Sequence, residues 1–211
     1  NAAMAKTRLN LAKVPEHNLC VYCGSGSGKN PAYMAAARAL GMALANAGMG
    51  LVYGGGSLGL MGEVAKTVLE AGGYVTGIIP SFLGTKERML TGVNDLVVTK
   101  NMHERKMTMF ERSTGFVALP GGIGTLEELT EISTWAQLDQ HAKPIVVCNV
   151  DGYWEPYLTL IKHMREEKFI REGMEFKMDV VKTAEDVVPA YEYRLANTPQ
   201  KVPFDLPREV L

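Results

Sequence analysis

Residues 120–128 read Pro120-Gly121-Gly122-Ile123-Gly124-Thr125-Leu126-Glu127-Glu128 and follow directly on the apolar run Gly115-Phe116-Val117-Ala118-Leu119. A strand, a glycine turn and a helix in that order build a phosphate site. Glycines at three of four positions let the backbone approach an anion closely. A helix beginning near Thr125 aims unpaired N–H groups and the positive end of its dipole at the same point. Glu127 and Glu128 are then expected in the first helical turn, beside whatever the phosphate carries. A binding loop alone has no need of a carboxylate there, so the spacing points to chemistry on the organic part of a phosphate ester. Glycine-rich turns and acidic helix starts also arise for structural reasons, so the reading needs other residues to support it. The stretch matches neither G-x-G-x-x-G nor G-x-x-x-x-G-K-[ST], which argues against a dinucleotide oxidoreductase or a P-loop ATPase.

The elements that position this stretch are legible upstream and downstream of it. Leu19–Cys23 is a short apolar run ending in Gly24-Ser25-Gly26-Ser27-Gly28, followed by a helical pattern from Pro31 to Ala47 rich in alanine. Gly50–Tyr53 reads as a second strand ending in Gly54-Gly55-Gly56, and Leu60–Ala71 as a second helix. Tyr74–Ile79 and Asp95–Thr99 are further strands, with Ser81–Asn94 a loop between them and Met102–Ser113 a helix after them. The motif strand and helix, a strand at Pro144–Cys148, a helix at Tyr157–Glu167 and a last helix at Ala184–Leu195 complete the order. About five β-α units imply an α/β, Rossmann-like three-layer fold, with a parallel sheet and helices on both faces. Ligands of such sheets bind beyond the carboxyl ends of the strands, so the three glycine turns are expected to border one pocket.

Composition narrows the class. With 22 Lys and Arg against 23 Asp and Glu in 211 residues, the chain carries no electrostatic footprint for nucleic acid or an anionic membrane. Cys20 and Cys23 stand at C-x-x-C spacing inside a strand, which sends them to opposite faces of the sheet, unlike a redox pair; with Cys148 they read as buried structural thiols. The four histidines are scattered and no metal-ligand spacing occurs, so no metal is expected. No apolar stretch of about 18 residues and no leader pattern is present, giving a cytoplasmic expectation. Residues 1–17 read as an N-terminal extension whose Asn1-Ala2-Ala3, ahead of Met4, looks like a tag remnant. Residues 18–196 read as one domain, and 197–211 as an irregular tail.

Upstream of the motif stands Met102-His103-Glu104-Arg105-Lys106, where an Arg-Lys pair at a helix start opposes the helix dipole and so suggests a task outside the helix. Taken with Pro120–Glu128, Thr134-Trp135-Ala136-Gln137 and Asn149-Val150-Asp151-Gly152-Tyr153, it resembles the LOG (Lonely Guy) family of phosphoribohydrolases, over about Leu19 to Leu195. The resemblance implies hydrolysis of the N-glycosidic bond of AMP or an N6-prenylated AMP, giving free base and ribose 5-phosphate. It implies no cofactor and a homodimer. It also sets aside the older lysine decarboxylase label of such proteins, since nothing here singles out a Schiff-base lysine with a partner for a pyridinium nitrogen.

By the same resemblance Arg105 and Glu128 are catalytic. Together with the glycine turns it assigns Gly24, Ser25, Gly55, Glu87, Met102, Lys106, Gly121, Gly122, Ile123, Gly124, Thr125, Leu126, Glu127 and Thr134 to substrate binding. The chemistry agrees: departure of the base leaves positive charge on C1′ and the ring oxygen, which a carboxylate stabilises, while an arginine that cannot lose its proton orients and screens. Two alternatives stay open, a nucleotide-binding module without turnover and a molybdenum-cofactor carrier of similar architecture.

Overall fold

Seven parallel strands form one sheet in the order β4-β3-β2-β1-β5-β6-β7 in the computed structural model, which describes residues 13–83 and 89–199. The strands are β1 (Asn18–Tyr22), β2 (Gly50–Tyr53), β3 (Val75–Pro80), β4 (Asp95–Thr99), β5 (Gly115–Ala118), β6 (Ile145–Cys148) and β7 (Asp179–Val181). The helices are α1 (Pro31–Asn46), α2 (Gly59–Glu70), α3 (Met102–Glu111), α4 (Ile123–Gln137), α5 (Glu155–Glu166) and α6 (Val187–Ala196). Short apolar strands buried on both faces need helices above and below, and the alternation of side chains divides them into two cores.

On one face Leu19, Val21, Leu51, Tyr53, Val117 and Val146 meet Leu40 and Leu44 of α1, Val64 and Val68 of α2 and Tyr191 of α6. On the other, Cys20, Tyr22, Val52, Ile78, Phe116 and Val147 meet Met109 of α3, Leu129 and Ile132 of α4 and Trp154. Cys20 and Cys23 thus fall in different cores, both buried and both free thiols, as their spacing within a strand implies. The α1–α2 crossing is close because Gly41 carries no Cβ: one would lie 2.8 Å from Thr67 Cβ and 2.9 Å from the Val64 carbonyl oxygen.

The sheet departs from expectation in one element. Seven strands are present, and the additional one, β7, pairs with β6 at the edge. The sheet order reverses between β1 and β5, which are neighbours although far apart in sequence. The loops leaving their carboxyl ends, one beginning at Gly24 and one at Pro120, therefore part and leave the crevice in which parallel α/β sheets hold ligands.

Candidate active site

The loop after β1 is fixed from two sides. Gly24 N–H donates to the Pro120 carbonyl at 3.0 Å, while Met61 N–H and Leu60 N–H donate to the carbonyls of Gly24 and Gly26 at 3.2 and 3.3 Å. The start of α2 is thereby capped by the first glycine loop. The start of α4 is not: its N-cap is Gly122, no side chain caps it, and the first-turn residues Ile123, Gly124 and Thr125 line an open cleft. That cleft, of about 270 Å³, is lined by Cys23, Gly24, Ser25, Met61, Arg105, Gly122, Ile123, Gly124, Thr125 and Glu128.

The glycines of the motif differ in what they do. A Cβ on Gly121 would collide with the Thr125 side chain at 2.1 Å and approach Gly24 N at 2.9 Å, so this glycine is required for packing. A Cβ on Gly122 or Gly124 would meet nothing within 4 Å. Gly124 lies inside a helix, where glycine costs about 1 kcal/mol relative to alanine, and the protein itself returns no packing for that cost. Open space over bare backbone at a helix start suits an anion that approaches closely.

Arg105 is 5% exposed, although it belongs to an otherwise polar helix. Its Nε donates to the Ile78 carbonyl at 3.1 Å and its Nη2 to the Gly54 carbonyl at 2.8 Å, so the carboxyl ends of β3 and β2 hold the guanidinium at the cleft wall. Glu128, half-buried, lines the same cleft from α4. Burial, and then the nearby Glu128 carboxylate, push the Cys20 and Cys23 thiols above their ordinary range, so neither offers a thiolate.

Helix α4 starts at Ile123, two residues before the expected Thr125, and Glu127 and Glu128 therefore occupy its second turn. Lys106 does not reach the cleft. Its ammonium binds Glu127 at 2.6 Å and Glu131 at 2.7 Å, tying α3 to α4. Burial lowers the Lys106 pKa, but these two carboxylates outweigh it and the group sits above its ordinary value. Thr134 is exposed with its hydroxyl on the Thr130 carbonyl. Leu126 packs on the second core, and Met102 lies against Arg105 through its sulfur. Gly55, at φ 81, accepts from Leu90 N–H and is turned toward that loop. Gly121 does not line this cleft; it lines a neighbouring cavity and packs against Thr125. Glu87 lies outside the described residues.

Cys23, Met61 and Gly54, none of them assigned from the sequence, complete the wall. Met61 lines the cleft, and Gly54 admits Arg105, since a Cβ there would stand 2.4 Å from Arg105 Nη2 and 3.0 Å from Met61 Sδ. The signal for Gly54 was the triple glycine itself. A larger cleft of about 320 Å³ lies between α5, β7 and α6, but no carboxylate lines it. Among the described residues no group of His, Cys, Asp and Glu is arranged to hold a metal ion.

The family model described as "Possible lysine decarboxylase" matches residues 61–191. The cytokinin riboside 5′-monophosphate phosphoribohydrolase LOG of Oryza sativa subsp. japonica is 44% identical over 184 residues, 84% of this chain and 76% of that protein. LOG3 of Arabidopsis thaliana, which bears the same enzyme name, is 43% identical over 190 residues, 87% of this chain and 88% of its own. The chain belongs to the LOG family. Among the described residues that line the cleft, none is a lysine. The molybdenum cofactor carrier protein of Chlamydomonas reinhardtii superposes with a TM-score of 0.64 at 22% identity, covering 88% of this chain and 100% of its own. That likeness is one of fold, and LOG membership rests on the sequence relatives.

Proposed function

We propose that this LOG-family protein is a hydrolase of N-glycosyl bonds that converts a purine nucleoside 5′-monophosphate, AMP or an N6-prenylated AMP, into free base and ribose 5-phosphate. One observation carries the reading: an uncapped helix start over two glycines that packing does not require shares a cleft with a carboxylate and a buried guanidinium. The phosphate sits against the amides of Ile123, Gly124 and Thr125, and this remote contact holds the ribose for reaction.

As the C1′–N bond breaks, its electron pair leaves with the base nitrogen, which takes up a proton, and positive charge spreads over C1′ and the ring oxygen. Glu128 stabilises that charge and accepts a proton from the water whose oxygen bonds to C1′; return of the proton to solvent restores the site. Arg105 stays protonated and acts by orientation and electrostatics. Comparing kcat/KM for AMP, isopentenyl-AMP, GMP and CMP tests the reading. Base release from a purine monophosphate is expected, and nucleotide binding without release from any of the four would favour a binding module.

A further inference from the structure

We infer that Tyr153 is a positioning residue for the phosphate cradle, acting through the Gly121–Gly122 peptide; this rests on the phosphate-binding part of the function proposed above. The Tyr153 hydroxyl donates to the Gly121 carbonyl oxygen. In a trans peptide unit the C=O and the N–H point in opposite directions, and the Gly121 carbonyl shares its unit with the Gly122 N–H. Tyr153 and Gly121 line a second cavity, of about 200 Å³, that shares only Gly24 and Gly122 with the cleft holding Arg105 and Glu128. Holding the carbonyl toward the second cavity turns the Gly122 N–H toward the cleft, where it joins the amides of Ile123, Gly124 and Thr125. Two successive glycines leave this peptide free to rotate, so an outside restraint has something to do.

Tyr153 is itself well held. Its ring meets Tyr33 edge-on at 5.4 Å and Trp154 at 5.2 Å. The turn before it is closed by Asn149, whose Oδ1 accepts from Trp154 N–H at 2.8 Å and whose Nδ2 donates to Glu155 at 2.6 Å. Asp151, at φ 47, accepts from Asn30 Nδ2 at 2.8 Å, and Asn30 in turn caps α1 by accepting from Ala32 N–H at 2.9 Å. One turn thus grips both loops that frame the cleft, the first through Asp151 and Asn30, the second through Tyr153 and Gly121. This gives the Asn149–Tyr153 motif a task that the bond-breaking chemistry does not.

Calorimetric titration with ribose 5-phosphate tests the inference without turnover, since this ligand carries the phosphate and lacks the base. Tyr153→Phe keeps the ring and loses the hydroxyl. Its Kd is expected to rise at least about fivefold, with the ligand-free Tm within a few degrees of wild type. Tyr33→Phe, which keeps the ring against Tyr153 and Gly28 and leaves the Tyr153 hydroxyl in place, is expected to bind within about twofold of wild type. An unchanged Kd in Tyr153→Phe, an equal loss in Tyr33→Phe, or no binding by the wild type would each overturn the inference. If Tyr153→Phe does not fold, an amide NMR titration of the wild type with inorganic phosphate decides: the Gly122 resonance is expected to shift with those of Ile123–Thr125, and an unmoved Gly122 overturns the role. A wild type that binds ribose 5-phosphate as described yet releases base from no nucleotide would remove the proposed activity and leave this inference standing.

Discussion

Arg105 Nη2 lies 2.8 Å from the Gly54 carbonyl oxygen, and a Cβ on Gly54 would stand 2.4 Å from that same nitrogen. The end of β2 therefore holds the guanidinium and leaves no room for a methyl group. Gly54 lacks the left-handed φ that would itself demand glycine, so the demand comes from Arg105 and Met61. Gly54→Ala is expected to fold and to lower kcat by at least ~10-fold through displacement of Arg105. The effect should vanish in an Arg105→Ala background, which a double-mutant cycle on base release would show.

Much of this site was legible in the chain, and the remainder has physical reasons for being hidden. The glycine turns, Arg105 and Glu128 announce themselves by residue type and spacing, and the strands at Gly50–Tyr53 and Asp95–Thr99 fall where apolar runs and turn residues bound them. Strand β7 has only three residues, half-exposed at the sheet edge, and too little pattern to be read. α4 begins two residues before the point its sequence pattern marks, because Gly122 caps it without a side chain and no Ser, Thr, Asp or Asn signals the start. Gly54 touches Arg105 from a distant helix, and Met61 lines the cleft beside it, juxtapositions that only the fold creates. The resemblance assigns Lys106 to substrate binding, yet its two carboxylate partners arrive from α4.

That lysine supports the next expectation. Its removal leaves Glu127 and Glu131 as unpaired like charges one helical turn apart and releases α3 from α4. Lys106→Met should lower Tm by roughly 2–5 °C and kcat/KM by roughly 3–10-fold, because Arg105 and Glu128 ride on the two helices it joins. Glu127→Gln should cost less, since Glu131 retains the lysine. Thermal unfolding and steady-state rates at low and high salt measure both.

A pH effect on stability follows from His141. Its Nε2 is 2.8 Å from the Ile132 carbonyl and its Nδ1 accepts the Lys143 N–H at 3.1 Å, which sets the neutral ring with its proton on Nε2. Burial, with Lys143 adding to it, holds its pKa below 6.5. The unfolded chain therefore takes up this proton first: the contribution is complete above about pH 6.5 and is lost as pH falls through the folded value. Denaturant unfolding at pH 7 and pH 5 should show a smaller loss in His141→Gln than in the wild type.

We also propose a homodimer. Ile123, 82% exposed at the mouth of the cleft, and Leu138, 52% exposed just beyond α4, leave apolar surface beside the site. Light scattering at micromolar concentration is expected to give twice the chain mass, and the chain mass alone would count against it.

Base release from AMP by the wild type and by Glu128→Gln, followed by chromatography, tests the catalytic assignment most directly. The wild type is expected to yield adenine and ribose 5-phosphate in equal amounts. Glu128→Gln preserves the shape of the cleft and the amides of α4 but removes the charge, so kcat should fall by at least ~10²-fold while nucleotide binding persists. Full turnover by folded Glu128→Gln protein would contradict the role of Glu128, and no release from any nucleoside monophosphate by the wild type would contradict the activity itself.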